Sequence, residues 1–305
     1  MQEAIIFPGQ GAQFEGMGRD WCDAFSVAKA TFAEASELLG FSLEEACWSS
    51  GDKVNRTDIA QPGILVTSVA VIRVLEAEAG LDRSGAAMTA GLSLGEYTAL
   101  WCAGSLSFAD AVKLVRLRGS AMQDAAEQIP SGMLSLMGGD EEKATAIAKV
   151  GAEKGICSVA NLNAPGQVVI SGEHAALDAA AEVARDHGVR RARKLVVAGG
   201  FHSECMRPAA DRLAAALNDV EFKTPNVPFV TNVTGKPSSD PKELSQNLAE
   251  QVCAPVRWEA SMRWALEQGI KSFLEPGPGA ILAGIMRKID PEAEVRSAAS
   301  PAEVR

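Results

Sequence analysis

Apolar positions along the chain come in two textures. Short unbroken runs closed by glycine or proline alternate with longer stretches in which apolar residues return every three or four positions. "AIIF" at 4–7 is of the first kind: too short for a helix and closed by Pro8-Gly9, it reads as a buried parallel strand. "MTAGLS" at 88–93 is a second such strand, ending at a serine. From Glu96 the pattern is helical, and "SFAD" at 107–110 restarts it with Ser107 as N-cap and an acid three residues on.

Between about 130 and 197 the order changes. "GMLSLMG" reads as a strand, "DEEKATAIAKVGAEKG" as a helix, and "CSVANLN" and "GQVVISG" as two strands about a Pro165-Gly166 turn. "EHAALDAAAEVARDHG" follows as a helix and "ARKLVV" as a strand. That β-α-β-β-α-β order predicts a ferredoxin-like subdomain, residues 129–197, inserted into a larger α/β domain formed by residues 1–128 and 198–305. The larger domain resumes with "VPFVTNV" (227–233) and "GIKSFLEPGPG" (269–279). No internal repeats or low-complexity segments stand out.

Length agrees with this division, since 305 residues lie near the size at which one core gives way to two units. Composition is that of a folded globular chain, with 47% hydrophobic and 22% charged residues. A net charge of -10 argues against a broad nucleic-acid or anionic-membrane surface. The exception is local: "VRRARK" (189–194) gathers Arg190, Arg191, Arg193 and Lys194, either as a solvated strand end or as a patch for an acidic partner. Six scattered cysteines with no C-x-x-C pair suggest reduced thiols, with neither a disulfide framework nor a zinc site. "MQEA" runs straight into "IIFPGQG" without a basic n-region, and no apolar run approaches 18 residues, so the cytoplasm is the expected compartment and no membrane partner is expected.

Candidate chemistry centres on "TAGLSLGEYTAL" (89–100), where Gly91, Ser93 and Gly95 form G-x-S-x-G. Small residues at those spacings let a strand turn sharply into a helix and expose the serine oxygen. Such a serine needs a base. Of the three histidines, His174 and His187 sit at the two ends of an Ala-rich helix, whereas His202 lies in the loop "AGGFHSE". His202 is therefore the candidate base, the alternative being a structural histidine hydrogen-bonded in its loop. "FPGQGAQ" (7–13) lacks both a P-loop Lys-Ser/Thr and the third glycine of a dinucleotide fingerprint. Its turn can instead aim the Gln10 N–H into the site, beside that of Leu94, as an oxyanion hole. On the helix after Ser107, Ala111, Leu114, Val115, Arg118 and Met122 share one face. A core-facing Arg118 needs an anionic partner: either an internal acid such as Glu96, or a ligand carboxylate.

"FPGQGAQ", "GLSLGEYTALWCAG", "VRLRGSAMQ", "NLNAPGQVVISG", "GGFHS", "QVCAPVRW" and "EPGPG", in this order, resemble malonyl-CoA:acyl carrier protein transacylases and the acyltransferase domains of fatty acid and polyketide synthases. The resemblance covers essentially the whole chain. It implies a hydrolase-like α/β large domain with a mostly parallel sheet, together with the inserted α+β subdomain. It also implies that Ser93 carries the acyl group, that His202 is the base, and that a carbonyl oxygen of Gln251 orients it. Gln10 and Leu94 would form the oxyanion hole. Arg118 would grip the malonyl carboxylate, with Met122 of the same segment in the pocket, and Phe201 accompanies malonyl over methylmalonyl. The implied partners are malonyl-CoA and phosphopantetheinylated acyl carrier protein; the local positive charge makes Arg190 and Arg191 candidate residues for docking the carrier protein or the phosphates of coenzyme A. A monomer without metal or other cofactor is expected. Leu92 departs from the family's usual histidine before the serine. A serine esterase or thioesterase, and a non-catalytic acyl-binding protein, remain alternatives from other classes.

Overall fold

The computed structural model describes residues 3–49 and 51–304. Its strands are β1 (Ala4–Phe7), β2 (Thr89–Gly91), β3 (Ser131–Met137), β4 (Cys157–Ala164), β5 (Gln167–Glu173), β6 (Arg191–Lys194), β7 (Phe229–Val230), β8 (Ser272–Pro276) and β9 (Glu294–Ala298). Its helices are α1 (Arg19–Ala24), α2 (Ser26–Leu39), α3 (Leu43–Trp48), α4 (Thr57–Ala79), α5 (Gly95–Cys102), α6 (Phe108–Gln128), α7 (Glu141–Gly151), α8 (His174–Val183), α9 (Arg207–Leu217), α10 (Pro241–Gln251), α11 (Trp258–Glu267) and α12 (Ile281–Ile289).

Five strands form one sheet in the order β7-β2-β1-β8-β9, every neighbouring pair parallel. Side-chain alternation along β1 explains why the run AIIF is apolar throughout. Ile5 and Phe7 enter the core that includes residues of α2, α4, α5 and α6, while Ala4 and Ile6 enter the core on the other face with residues of α11 and α12. The remaining four strands form an antiparallel sheet in the order β4-β5-β3-β6, backed by α7 and α8 through a third core. In subdomain order that is 2-3-1-4, the ferredoxin-like arrangement. The fold is thus α/β, a parallel sheet with a ferredoxin-like α+β unit between its second and third strands in sequence.

One expectation is corrected. The strand expected over "ARKLVV" lies at Arg191–Lys194. After the Leu195 N–H reaches the Met133 carbonyl (2.9 Å), the chain leaves the sheet, and Val196 is fully exposed. The larger domain resumes with the short strand Phe229–Val230, after which the Thr231 N–H donates to the Lys236 carbonyl (3.0 Å). The helix α4, with 23 residues, is long and apolar enough to cross a membrane, yet its most apolar window is 83% buried inside the protein. It packs against α2, α3, α5 and α6, so being apolar on most sides suits a core helix.

Candidate active site

The serine turn is built by close approach. A Cβ on Gly91 would stand 1.9 Å from the Gly95 carbonyl carbon, and one on Gly95 would stand 2.2 Å from the Phe7 carbonyl oxygen. Only glycine fits either place, so β2, the turn and α5 can pack tightly at this point. Ser93 itself sits at φ 52, in the left-handed region, and is held there from outside. Its N–H donates to Asn232 Oδ1 (2.6 Å), and Asn232 Nδ2 donates to the Gly91 carbonyl (2.7 Å).

Ser93 Oγ lies 2.8 Å from His202 Nε2. The other ring nitrogen, Nδ1, lies 2.8 Å from the Gln251 backbone carbonyl, which can only accept. The proton is therefore on Nδ1, and Nε2 is free to accept the serine proton. Burial first, and the Arg118 charge second, lower the His202 pKa from 6.5 to about 4, so the ring is neutral at pH 7. His174 is exposed at the start of α8 and His187 is half-buried beyond its end; neither lines the cavity that Ser93 and His202 line.

Arg118 is buried, as its place in the apolar stripe of α6 requires. Its Nη2 donates to Ser93 Oγ (3.0 Å) and to Gln251 Oε1 (2.9 Å). The guanidinium carbon stands 5.7 Å from the centre of the Tyr97 ring, and Nε has no hydrogen-bond partner among the described residues. Glu96 does not ion-pair with it. That carboxylate accepts from the Asn232 N–H (3.0 Å) and from Gln251 Nε2, and burial raises its pKa to about 7.

Gly9 abuts the Leu92 carbonyl, and the Leu92 N–H reaches the Phe7 carbonyl (3.0 Å), so the Gln10 turn and the serine turn lie against each other. Neither the Gln10 N–H nor the Leu94 N–H has an acceptor among the described residues. Leu94 is also the N-cap of α5, where the helix dipole favours negative charge. A cavity of about 650 Å³ opens over this arrangement, and Gln10, Ser93, Arg118, Met122, Phe201 and His202 all line it. Leu92 lines it too. Arg190 and Arg191 do not. Both are exposed, and Arg191 pairs with Met137, at the opposite end of β3 from the cavity-lining Met133.

Asn232 and the role of Glu96 as a hydrogen-bond anchor are the parts that sequence reasoning missed. Glu96 had one available signal, an acid on a helix that is otherwise apolar. Asn232, in "TNVTG", had none. Among the described residues no group of three or more His, Cys, Asp or Glu side chains could hold a metal ion, and all six cysteines are free.

A parallel α/β sheet that lifts a serine on a strand-to-helix elbow against a neutral histidine, with two unpaired N–H groups beside it, defines a class: proteins built for acyl transfer. The chain belongs to the acyl transferase domain family, which it matches over residues 4–301. It is 39% identical over 289 residues to the malonyl CoA-acyl carrier protein transacylase of Bacillus subtilis, covering 94% of this chain and 90% of that protein. Its structure is similar to that of an acyl carrier protein S-malonyltransferase from Vibrio cholerae, with TM-score 0.94 and 38% identity, covering 100% of this chain and 99% of that one. It is equally similar to a malonyl-transacylase solved in complex with a type II PKS acyl-carrier protein, with TM-score 0.94 and 38% identity over 100% of this chain and 98% of the other.

Proposed function

We propose that this protein moves the malonyl group from malonyl-CoA to the phosphopantetheine thiol of an acyl carrier protein, through a malonyl ester on Ser93. The observation that carries this reading is the buried Arg118, 3.0 Å from Ser93 Oγ and with Nε unpartnered. A cation that close to a nucleophile suits an acyl group bearing its own carboxylate. His202 Nε2 takes the serine proton as Oγ attacks the thioester carbon. The oxyanion rests on the Gln10 and Leu94 N–H groups, and the C–S bond breaks as coenzyme A leaves with the proton from His202. The carrier-protein thiol repeats the sequence on the ester, giving its proton to His202, which returns it to Ser93. Both steps exchange an acyl group between sulfur and oxygen, so no redox group is called for.

In this reading residues 129–197 form the smaller domain, and the enzyme acts as a monomer in the cytoplasm, in fatty acid or polyketide synthesis. Intact mass measurement after mixing with malonyl-CoA tests it: a malonyl adduct is expected on the wild type and none on Ser93→Ala. Release of free malonate at the same rate with and without carrier protein would instead mark a hydrolase.

The base assignment predicts a pH profile. Deprotonated His202 is the active form, so the acid limb of single-turnover acylation is expected near pH 4, well below the ordinary 6.5. Arg118→Met removes the second cause of the depression and leaves burial, the larger one. The limb should therefore move toward 6.5 without reaching it, and an unmoved limb would show that the Arg118 charge does not act on His202.

A further prediction concerns the basic strand end. If Arg190 and Arg191 meet an acidic carrier protein, the double charge reversal Arg190→Glu, Arg191→Glu should slow transfer to it by about tenfold at low salt, with a weaker effect at high salt. Because both residues lie away from the cavity, acylation by malonyl-CoA should change little. Equal rates toward carrier protein in variant and wild type would remove this surface from the docking site.

A further inference from the structure

An amide side chain offers a donor end and an acceptor end of almost the same shape, so packing alone does not choose between its two orientations. Gln251 has much at stake in that choice. With Oε1 toward Arg118 it accepts from Nη2 (2.9 Å), and with Nε2 on the other side it donates to the Ser93 carbonyl (3.0 Å) and to Glu96 Oε2. Turned over, the amide would set N–H groups against the guanidinium and an oxygen against two acceptors. Of those two acceptors the carboxylate is the stronger.

Glu96 is held from both sides. One oxygen takes the Gln251 amide and the other takes the Asn232 N–H (3.0 Å), so the carboxylate cannot rotate away from its task. It is fully buried and absent from the cavity wall, and among the described residues it touches neither Ser93 Oγ nor His202. A buried carboxylate is expensive to maintain, and here both oxygens are spent on N–H groups of the two residues that hold the serine turn and Arg118.

We infer that Glu96 is a positioning residue for substrate selection: it fixes the orientation of the Gln251 amide, and through it the place of the Arg118 guanidinium beside Ser93. The inference rests on the reading that Arg118 takes the malonyl carboxylate. It is separate from the contact between His202 and Gln251, which is made by the backbone carbonyl and does not use the Gln251 side chain.

The test compares kcat/KM for malonyl-CoA and acetyl-CoA in full-length wild type, Glu96→Gln, Gln251→Met, the double variant and Arg118→Ala, with a thermal melt of each. Glutamine at 96 keeps one acceptor and adds a donor, so whichever way it turns, one N–H faces another. Malonyl transfer is expected to fall by about ten- to hundredfold, on the scale of a misplaced binding group, with KM for malonyl-CoA rising. Acetyl transfer should fall much less, so the malonyl-to-acetyl ratio drops by about tenfold. Gln251→Met should lower the ratio similarly, and the double variant no further, because both cut one chain of contacts.

An unchanged ratio in Glu96→Gln, where Arg118→Ala lowers it, overturns the inference and leaves Glu96 a structural residue. Multiplying losses in the double variant do the same. An unchanged ratio in Arg118→Ala is a different failure, that of the carboxylate assignment, and the inference falls with it. Should Glu96→Gln not fold, Gln251→Met decides alone: a ratio equal to that of wild type overturns the inference.

Discussion

Ser93→Ala and His202→Ala are each expected to lower malonyl transfer by about ten-thousandfold or more, and the double mutant to lose no more than the worse single one. The geometry gives the reason. Ser93 Oγ and His202 Nε2 are 2.8 Å apart, and Nδ1 faces a carbonyl, so the imidazole is held in the tautomer that can accept the serine proton. Without the base, the hydroxyl at neutral pH is a weak nucleophile; without the hydroxyl, the base has nothing to activate. The two act as a unit, and removing either removes the whole of what the pair supplies. Residual transfer in His202→Ala would come from substrate binding and from the Gln10 and Leu94 N–H groups. The measurement is single-turnover acylation in all four proteins, together with thermal melts. Losses that multiply in the double mutant would show that the two residues work independently.

The second large effect is on substrate choice. In Arg118→Ala, malonyl transfer is expected to fall by roughly 30-fold to several thousand-fold, since losing one side of a buried charged pair costs about 2–5 kcal/mol. Acetyl transfer should fall far less, or rise. Acetyl has no carboxylate to satisfy the guanidinium, so in wild type it leaves a buried cation, with Nε already unpartnered, facing a methyl group. Alanine removes that penalty. Two smaller effects act on both substrates in opposite directions. Ser93 Oγ loses the hydrogen bond from Nη2, while His202 loses a neighbouring cation and becomes a stronger base. Values of kcat/KM for malonyl-CoA and acetyl-CoA in wild type and variant decide the matter. Equal losses on both in a well-folded variant would make Arg118 a structural partner of Gln251 and Ser93 only.

Features that depend on near neighbours are legible in the sequence. The strand AIIF, the elbow between Gly91 and Gly95, the Ser107 cap and the β-α-β-β-α-β order all follow from periodicity and from local steric need. Arg118 was legible as a buried cation because helical spacing alone puts it among Ala111, Leu114, Val115 and Met122. Its partner was not legible. Glu96 was a reasonable candidate by charge, yet the fold turns that carboxylate toward Gln251 and Asn232 and leaves Arg118 beside the serine. Which atoms meet depends on packing between elements far apart in the chain. Ser93 reaches His202 across 109 positions, Asn232 across 139 and Gln251 across 158. These distances are closed by the order of parallel strands and by chain crossing from the smaller sheet at Leu195, where apolar residues run on but strand pairing stops. Apolar periodicity records which face of an element is buried; it holds no record of which polar group from a distant element will be waiting there, because that depends on packing between elements and on directional hydrogen bonds only a few ångströms long.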